Sequence, residues 1–141
     1  MFLTVDGEEV GGIGSRHFIE NLPFPGKNLF VALNLDCLAV RGEGPVALCS
    51  GGGQQAAGLA SAVRQLLTEA GFEIIVTRPE DLSSDHMGFI AAGYPAVGML
   101  STIDSMGAYL HKRSDGPDAV DLKELSATTI ALVKAIQAIA K

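Results

Sequence analysis

Apolar residues fall along this chain in short continuous runs, divided by turns rich in glycine and proline. Phe2–Val5, Leu29–Leu35, Pro45–Cys49, Glu73–Val76 and Ala96–Leu100 read as strands. They are nearly unbroken apolar stretches rather than alternating ones, the pattern of strands covered on both faces. Between them the period changes to that of helices. Residues 15–21 form a short helix that Leu22-Pro23-Phe24-Pro25-Gly26 must end, because proline removes a donor and clashes with the preceding turn. Residues 54–70 carry Leu59, Val63, Leu66, Leu67 and Ala70 on one stripe, with Gly71 where a helix stops. Ser83 or Ser84 can cap a helix running to Ala92, closed by Gly93 and Pro95. Asp121 and Glu124 make a capping-box-like start for a last helix over 121–140, with Leu125, Thr129, Leu132, Val133, Ile136 and Ile139 in helical register. Strands alternating with helices at these lengths predict a single α/β domain over residues 1–141: a mostly parallel sheet covered by helices on both faces.

Composition narrows the function classes. A chain that is 48% hydrophobic and 18% charged is not a disordered one. Its net charge of −6 lacks the basic face that nucleic acid requires, so no nucleic-acid partner is expected. No run approaches the roughly 18 apolar residues of a membrane span, and the N-terminal residues have no signal-peptide pattern. A cytoplasmic protein without a membrane partner is the expectation. Cys37 and Cys49 have neither disulfide-framework nor metal-knuckle spacing and read as two buried reduced thiols.

Chemistry concentrates at a few positions. Glu8 and Glu9 leave the first apolar run before a glycine turn, and Asp36 ends the second long run. Asp85-His86 and His111, with Asp115 following, lie in connections near later strands. Ligands gather beyond the carboxyl ends of strands in such sheets. Several segments therefore deliver carboxylate or imidazole groups toward one edge, as a hydrolytic metal site needs. Taken singly, Glu8-Glu9 also suits a solvated acidic turn, and His17 and His111 suit surface histidines. His86 also suits a helix N-terminal histidine with backbone contacts. Gly51-Gly52-Gly53 lacks the lysine and Ser/Thr of a phosphate loop and reads as a turn leading into a helix.

In order, Glu8-Glu9-Val10-Gly11 with Gly14-Ser15, Asn34-Leu35-Asp36, Ser84-Asp85-His86 with Phe89 and Gly93-Tyr94-Pro95-Ala96, and His111 with Asp115 resemble the di-zinc aminopeptidases. These are the leucyl-aminopeptidase-like metallopeptidases, to which glutaminyl cyclases are related. The resemblance implies that the chain corresponds to the C-terminal part of that catalytic domain. It implies Glu8 as general base, Glu9 and His111 as ligands of one zinc, and Asp36 as ligand of a second. Asp85 and His86 would support the ligands from behind. The histidine and bridging aspartate of the family's upstream H-x-D motif have no counterpart among these residues, and Lys112-Arg113 follow the last histidine where the family usually has threonine. The function so implied is removal of N-terminal residues from peptides by metal-activated water, impaired in this chain alone, with one or two zinc ions and a peptide substrate. The alternatives are a non-catalytic module of the same fold, glutaminyl cyclisation, or a half-site completed by a homo-oligomeric copy or an N-terminal partner fragment.

Overall fold

The computed structural model describes residues 1–41 and 44–139. Its sheet has four strands: β1 (Ala32–Asp36), β2 (Val46–Gly51), β3 (Ile74–Val76) and β4 (Ala96–Ser101), in the order β1-β4-β2-β3. β1 pairs parallel with β4, and β2 parallel with β3. The two pairs meet where β2 runs antiparallel to β4. Two of the three pairings are thus parallel, as expected, but the antiparallel seam means the carboxyl ends of β1 and β4 share one end of the sheet while β2 and β3 end at the other.

Among the described residues there are five α-helices: α1 (Ile13–Glu20), α2 (Gln54–Glu69), α3 (His86–Ala91), α4 (Ile103–Met106) and α5 (Leu122–Ile139). The period-2 alternation of the central strands separates two cores. Val46, Leu48, Val97 and Met99 face α2 and α5 and pack with Leu59, Val63, Leu67 and Leu132. Each such fully buried aliphatic side chain contributes about 1.5–3 kcal/mol. Ala47, Cys49 and Leu100 face the other way, toward Leu82. On that side His86 and Phe89 of α3 are buried, and α1 packs on α3 through Phe18 and Phe89, whose ring centroids lie 6.3 Å apart.

The helices follow their local signals with three exceptions, the first being that neither Ser83 nor Ser84 caps α3, which has no side-chain cap. Gly71 does end α2, at φ +94°, a conformation that a side chain disfavours. Asp121 caps α5, its Oδ1 accepting from the Lys123 and Glu124 amides at 2.9 and 3.0 Å; the expected extension of this helix to residue 140 lies outside the described residues. The buried stripe of α5, however, is Thr128, Ala131, Leu132 and Ala135, whereas Leu125, Val133 and Ile136 are exposed. Small residues let α5 approach α2 closely, and that packing outweighs the larger side chains alongside. Ala70, placed on the stripe of α2, is likewise exposed.

Phe2–Val5 does not form the expected buried strand. It has no regular structure, and Phe2 is fully exposed. An apolar run becomes a strand only where a sheet edge and two covered faces accept it. Here Phe2, Leu3 and Val5 instead line an open groove of about 710 Å³ with Phe24, Leu29 and Phe30, beside the edge strand β1. Nor are both cysteines buried: Cys49 is, but Cys37 is exposed, just past the end of β1.

Candidate metal centre

Glu8 and Glu9 lie on a single 3₁₀ turn, Glu8–Val10. Glycines enclose it at positive φ, Gly7 at +73°, Gly11 at +89° and Gly12 at +64°, and the Gly11 and Gly12 amides both donate to the Glu8 carbonyl at 2.9 Å. A chain reversal this tight needs residues free to adopt left-handed backbone. It presents the two carboxylates in succession, Glu8 half-buried and Glu9 exposed.

His111 arrives from the segment after β4 and α4 and itself adopts φ +58°, unusual for a residue with a side chain. Its Nε2–H donates to Glu9 Oε1 at 2.7 Å across 102 positions of sequence. Both side chains are largely in solvent, 65% and 69% exposed, so as an ion pair the contact contributes at most about 1 kcal/mol. Its value is placement: the imidazole and carboxylate expected to share a metal meet at one point.

Asp36 is reached at the end of β1, where the ladder pairs it with Leu100. Its Oδ2 accepts the Ser84 hydroxyl at 2.7 Å, and Ser84 Oγ accepts Asn34 Nδ2 at 2.8 Å. The Cys37 thiol also hydrogen-bonds Asp36; although the residue as a whole is exposed, partial desolvation of the sulfur followed by that bond pushes the thiol up to about 12. Two of the three residues holding left-handed backbone without being glycine, Cys37 and His111, are thus at the candidate site or directly beside it, and Ala39 lies two residues beyond Cys37. Strained positions concentrate at functional sites.

The Glu8 carboxyl is raised above its usual value, first by burial and then by repulsion from Glu9, Asp36 and Asp85, with His111 opposing. Glu8, Glu9, Asp36, Asp85 and His111 are therefore near enough to share one electrostatic environment. His86 lies deeper. It is 0% exposed, with Nε2 3.4 Å from both Cys49 Sγ and the Pro79 carbonyl, and its Nδ1 has no partner. Asp85 also keeps one buried oxygen, Oδ1, unpaired. Lys112, beside His111, folds its ammonium onto the Gly107 carbonyl.

Zinc accepts imidazole nitrogen and carboxylate oxygen, which is what Glu9, His111 and Asp36 offer. The mutual repulsion that raises Glu8 is also what a cation would relieve. Among the described residues, no three His, Cys, Asp or Glu side chains converge closely enough to hold an ion. In donor chemistry the residues fit zinc.

Asn34 and Ser84 stand in the motifs that carry the resemblance, but the sequence assigned neither a role in the hydrogen bonds that reach Asp36. The i, i+2 spacing of Asn34 and Asp36 puts both on one side of β1, a signal that was available. That Ser84 would join them depends on how α3 packs against the sheet.

An α/β sheet that brings a half-buried glutamate, a glutamate–histidine pair and a strand-end aspartate to one end has the framework of a metallopeptidase. The family description "Peptidase family M28" matches residues 1–136, and the chain belongs to that family. Among solved structures it is similar to BSAP, a zinc aminopeptidase from Bacillus subtilis (TM-score 0.66, 20% identity, 94% of this chain and 34% of that one). It is also similar to Legionella LapA (0.73, 18%, 93% and 37%) and to an aminopeptidase from Aneurinibacillus sp. strain AM-1 (0.69, 20%, 94% and 31%). At these identities the likeness is one of fold, and the chain spans about a third of each relative's length. No curated protein matches it. No helix among the described residues is long and apolar enough to cross a membrane.

Proposed function

We propose that the chain carries the base and part of the ligand set of an aminopeptidase-type hydrolytic site acting on the N-terminal bond of a peptide. The observation that carries this reading is the Glu9–His111 contact at 2.7 Å with Glu8 beside it on the same glycine-bounded turn. Family membership and the zinc aminopeptidases among the structural neighbours support it. Zinc, when bound, supplies Lewis acidity that polarises a peptide carbonyl and acidifies water. Glu9, His111 and Asp36 are the residues that would hold it. Glu8 stays off the metal, takes the proton of the attacking water on its carboxylate, and returns it to the departing amine.

The chain alone is an impaired catalyst in this reading, because no three donors converge among its described residues. That same observation, with β4 as the sole sheet neighbour of β1 among the described residues and the apolar groove beside it, favours a second reading: a half-site completed by another polypeptide. Elemental analysis of zinc on dialysed protein tests the function. Wild type should retain at least one zinc, Glu9→Ala and His111→Ala should lose it, and Glu8→Gln should keep it while failing to release N-terminal residues from peptides. Wild type holding no more zinc than the Glu9→Ala and His111→Ala variants would refute the proposal.

A further inference from the structure

We infer that Lys112 is a positioning residue whose ammonium ties the loop that presents His111 to Glu9. The consequence for zinc rests on the proposed function; the tie itself does not. His111 stands in the segment between Met106 and Ala119, both of which are buried. Between those anchors, residues 107, 108 and 111–115 are all exposed. Burial therefore does not hold this stretch, and its shape depends on hydrogen bonds.

Two of those bonds close the loop across His111 in the same sense. Lys112 Nζ donates to the Gly107 carbonyl, and Ser114 Oγ donates to the Ala108 carbonyl at 3.1 Å. Each runs from the chain just after the imidazole to the chain just before it. The acceptors lie immediately past the end of α4, where carbonyls lack helical donors and lysine side chains commonly bond them. The flexible four-carbon stem of lysine is what lets position 112 reach an acceptor five residues back. Within the loop, the Lys112 amide donates to the Tyr109 carbonyl at 2.9 Å, and the Asp115 amide to the Lys112 carbonyl at 3.0 Å. His111 itself sits at φ +58°, backbone that a residue with a Cβ leaves unless its surroundings enforce it. The tie supplies that enforcement at the position where this chain departs from the threonine of the resemblance.

Two measurements test the inference on Lys112→Met, Lys112→Arg and Ser114→Ala, with Arg113→Ala as the control for charge. Amide hydrogen exchange over residues 107–116, read by mass spectrometry on metal-free protein, reports the tie. Losing one hydrogen bond should speed exchange there about 2- to 10-fold in Lys112→Met and in Ser114→Ala. Lys112→Arg keeps donors at similar reach and should recover most of the protection, and Arg113→Ala should match wild type. Zinc affinity, by competition with a chromophoric chelator, reports the placement of His111. Lys112→Met should bind zinc about 2- to 10-fold more weakly at an unchanged melting temperature, with recovery in Lys112→Arg. Removing a cation near a metal ion by itself tightens binding, so a weakening has the opposite sign to a charge effect, and Arg113→Ala should show none. Wild-type exchange in Lys112→Met would overturn the inference and leave the proposed function standing. Faster exchange with zinc affinity at or above that of wild type would also overturn it, since the tie would then have no part in the site. Wild type without bound zinc would overturn the proposed function, and the exchange comparison would then decide the tie on its own.

Discussion

Acid should destabilise this protein through one buried ring. His86 is 0% exposed, its Nδ1 has no partner, and burial holds its pKa below the usual imidazole value despite opposing contributions from the Pro79 carbonyl, Asp36 and Asp85. Protonation would place a positive charge and an unpaired N–H in the layer between α3 and the sheet, so the folded protein resists it. The unfolded chain does not, and takes up the proton as the pH falls through about 6.5. Below that value the unfolded state binds more protons than the folded one, and stability falls by up to about 1.4 kcal/mol per pH unit until the depressed folded value is reached. Between pH 7.5 and 5.5 the loss from this residue is at most on the order of 1 kcal/mol. With a urea m-value of about 2 kcal/mol/M, the unfolding midpoint should drop by up to roughly half a molar. His86→Gln provides the control. It is less stable at neutral pH but lacks the titrating ring, so its midpoint should fall much less over the same range. Glu8 pulls the other way, since a carboxyl raised in the folded state loses stability as pH rises; it is present in both proteins and cancels in the comparison. Equal pH dependence of wild type and His86→Gln would refute the reasoning.

Gly98→Ala should cost about 1–3 kcal/mol, as overpacking does. A Cβ there would lie 2.7 Å from His86 Nδ1 and 2.9 Å from Cys49 Sγ, in the middle of β4. For a domain of this size the melting temperature should fall by about 3–10 °C, and an unchanged value would mean that α3 moves off the sheet freely. Asp121→Ala removes the acceptor of two amides at the start of α5. It should cost about 1 kcal/mol by urea unfolding, and Asp121→Asn should recover most of that.

The elements easiest to read from the sequence were those whose own residues decide them. The Gly51–Gly53 turn into α2, the Gly71 stop and the Asp121 cap are local chemistry, and each is found where its residues placed it. Phe2–Val5 has the composition of a strand but no place in the sheet, because ladder partners lie elsewhere in the chain and composition does not report them. The stripe of α5 was misplaced for a related reason. Its apolar surface is wide enough to be buried at more than one rotation, and the close approach to α2 selects Ala131 and Ala135 over Val133 and Ile136. The antiparallel seam between β2 and β4 is a topological fact with no local signature.

The candidate site divides along the same line. That Glu8 and Glu9 sit together follows from adjacency within a glycine-bounded turn, and that Asp36 ends a strand follows from the run before it. The 2.7 Å contact between Glu9 and His111 required two distant segments to meet, and motif order alone suggested it. Ser84 shows where motif reading stops. In the sequence it is a helix-start serine beside Asp85 and His86, and the local rule assigns its hydroxyl to a cap. In the fold the hydroxyl instead donates to Asp36 Oδ2 at 2.7 Å, an acceptor 48 residues away that no local rule reports. Two of the three non-glycine residues with left-handed backbone among the described residues, His111 and Cys37, lie at the candidate centre or directly beside it. Their placement there is physical evidence for the site that does not depend on resemblance.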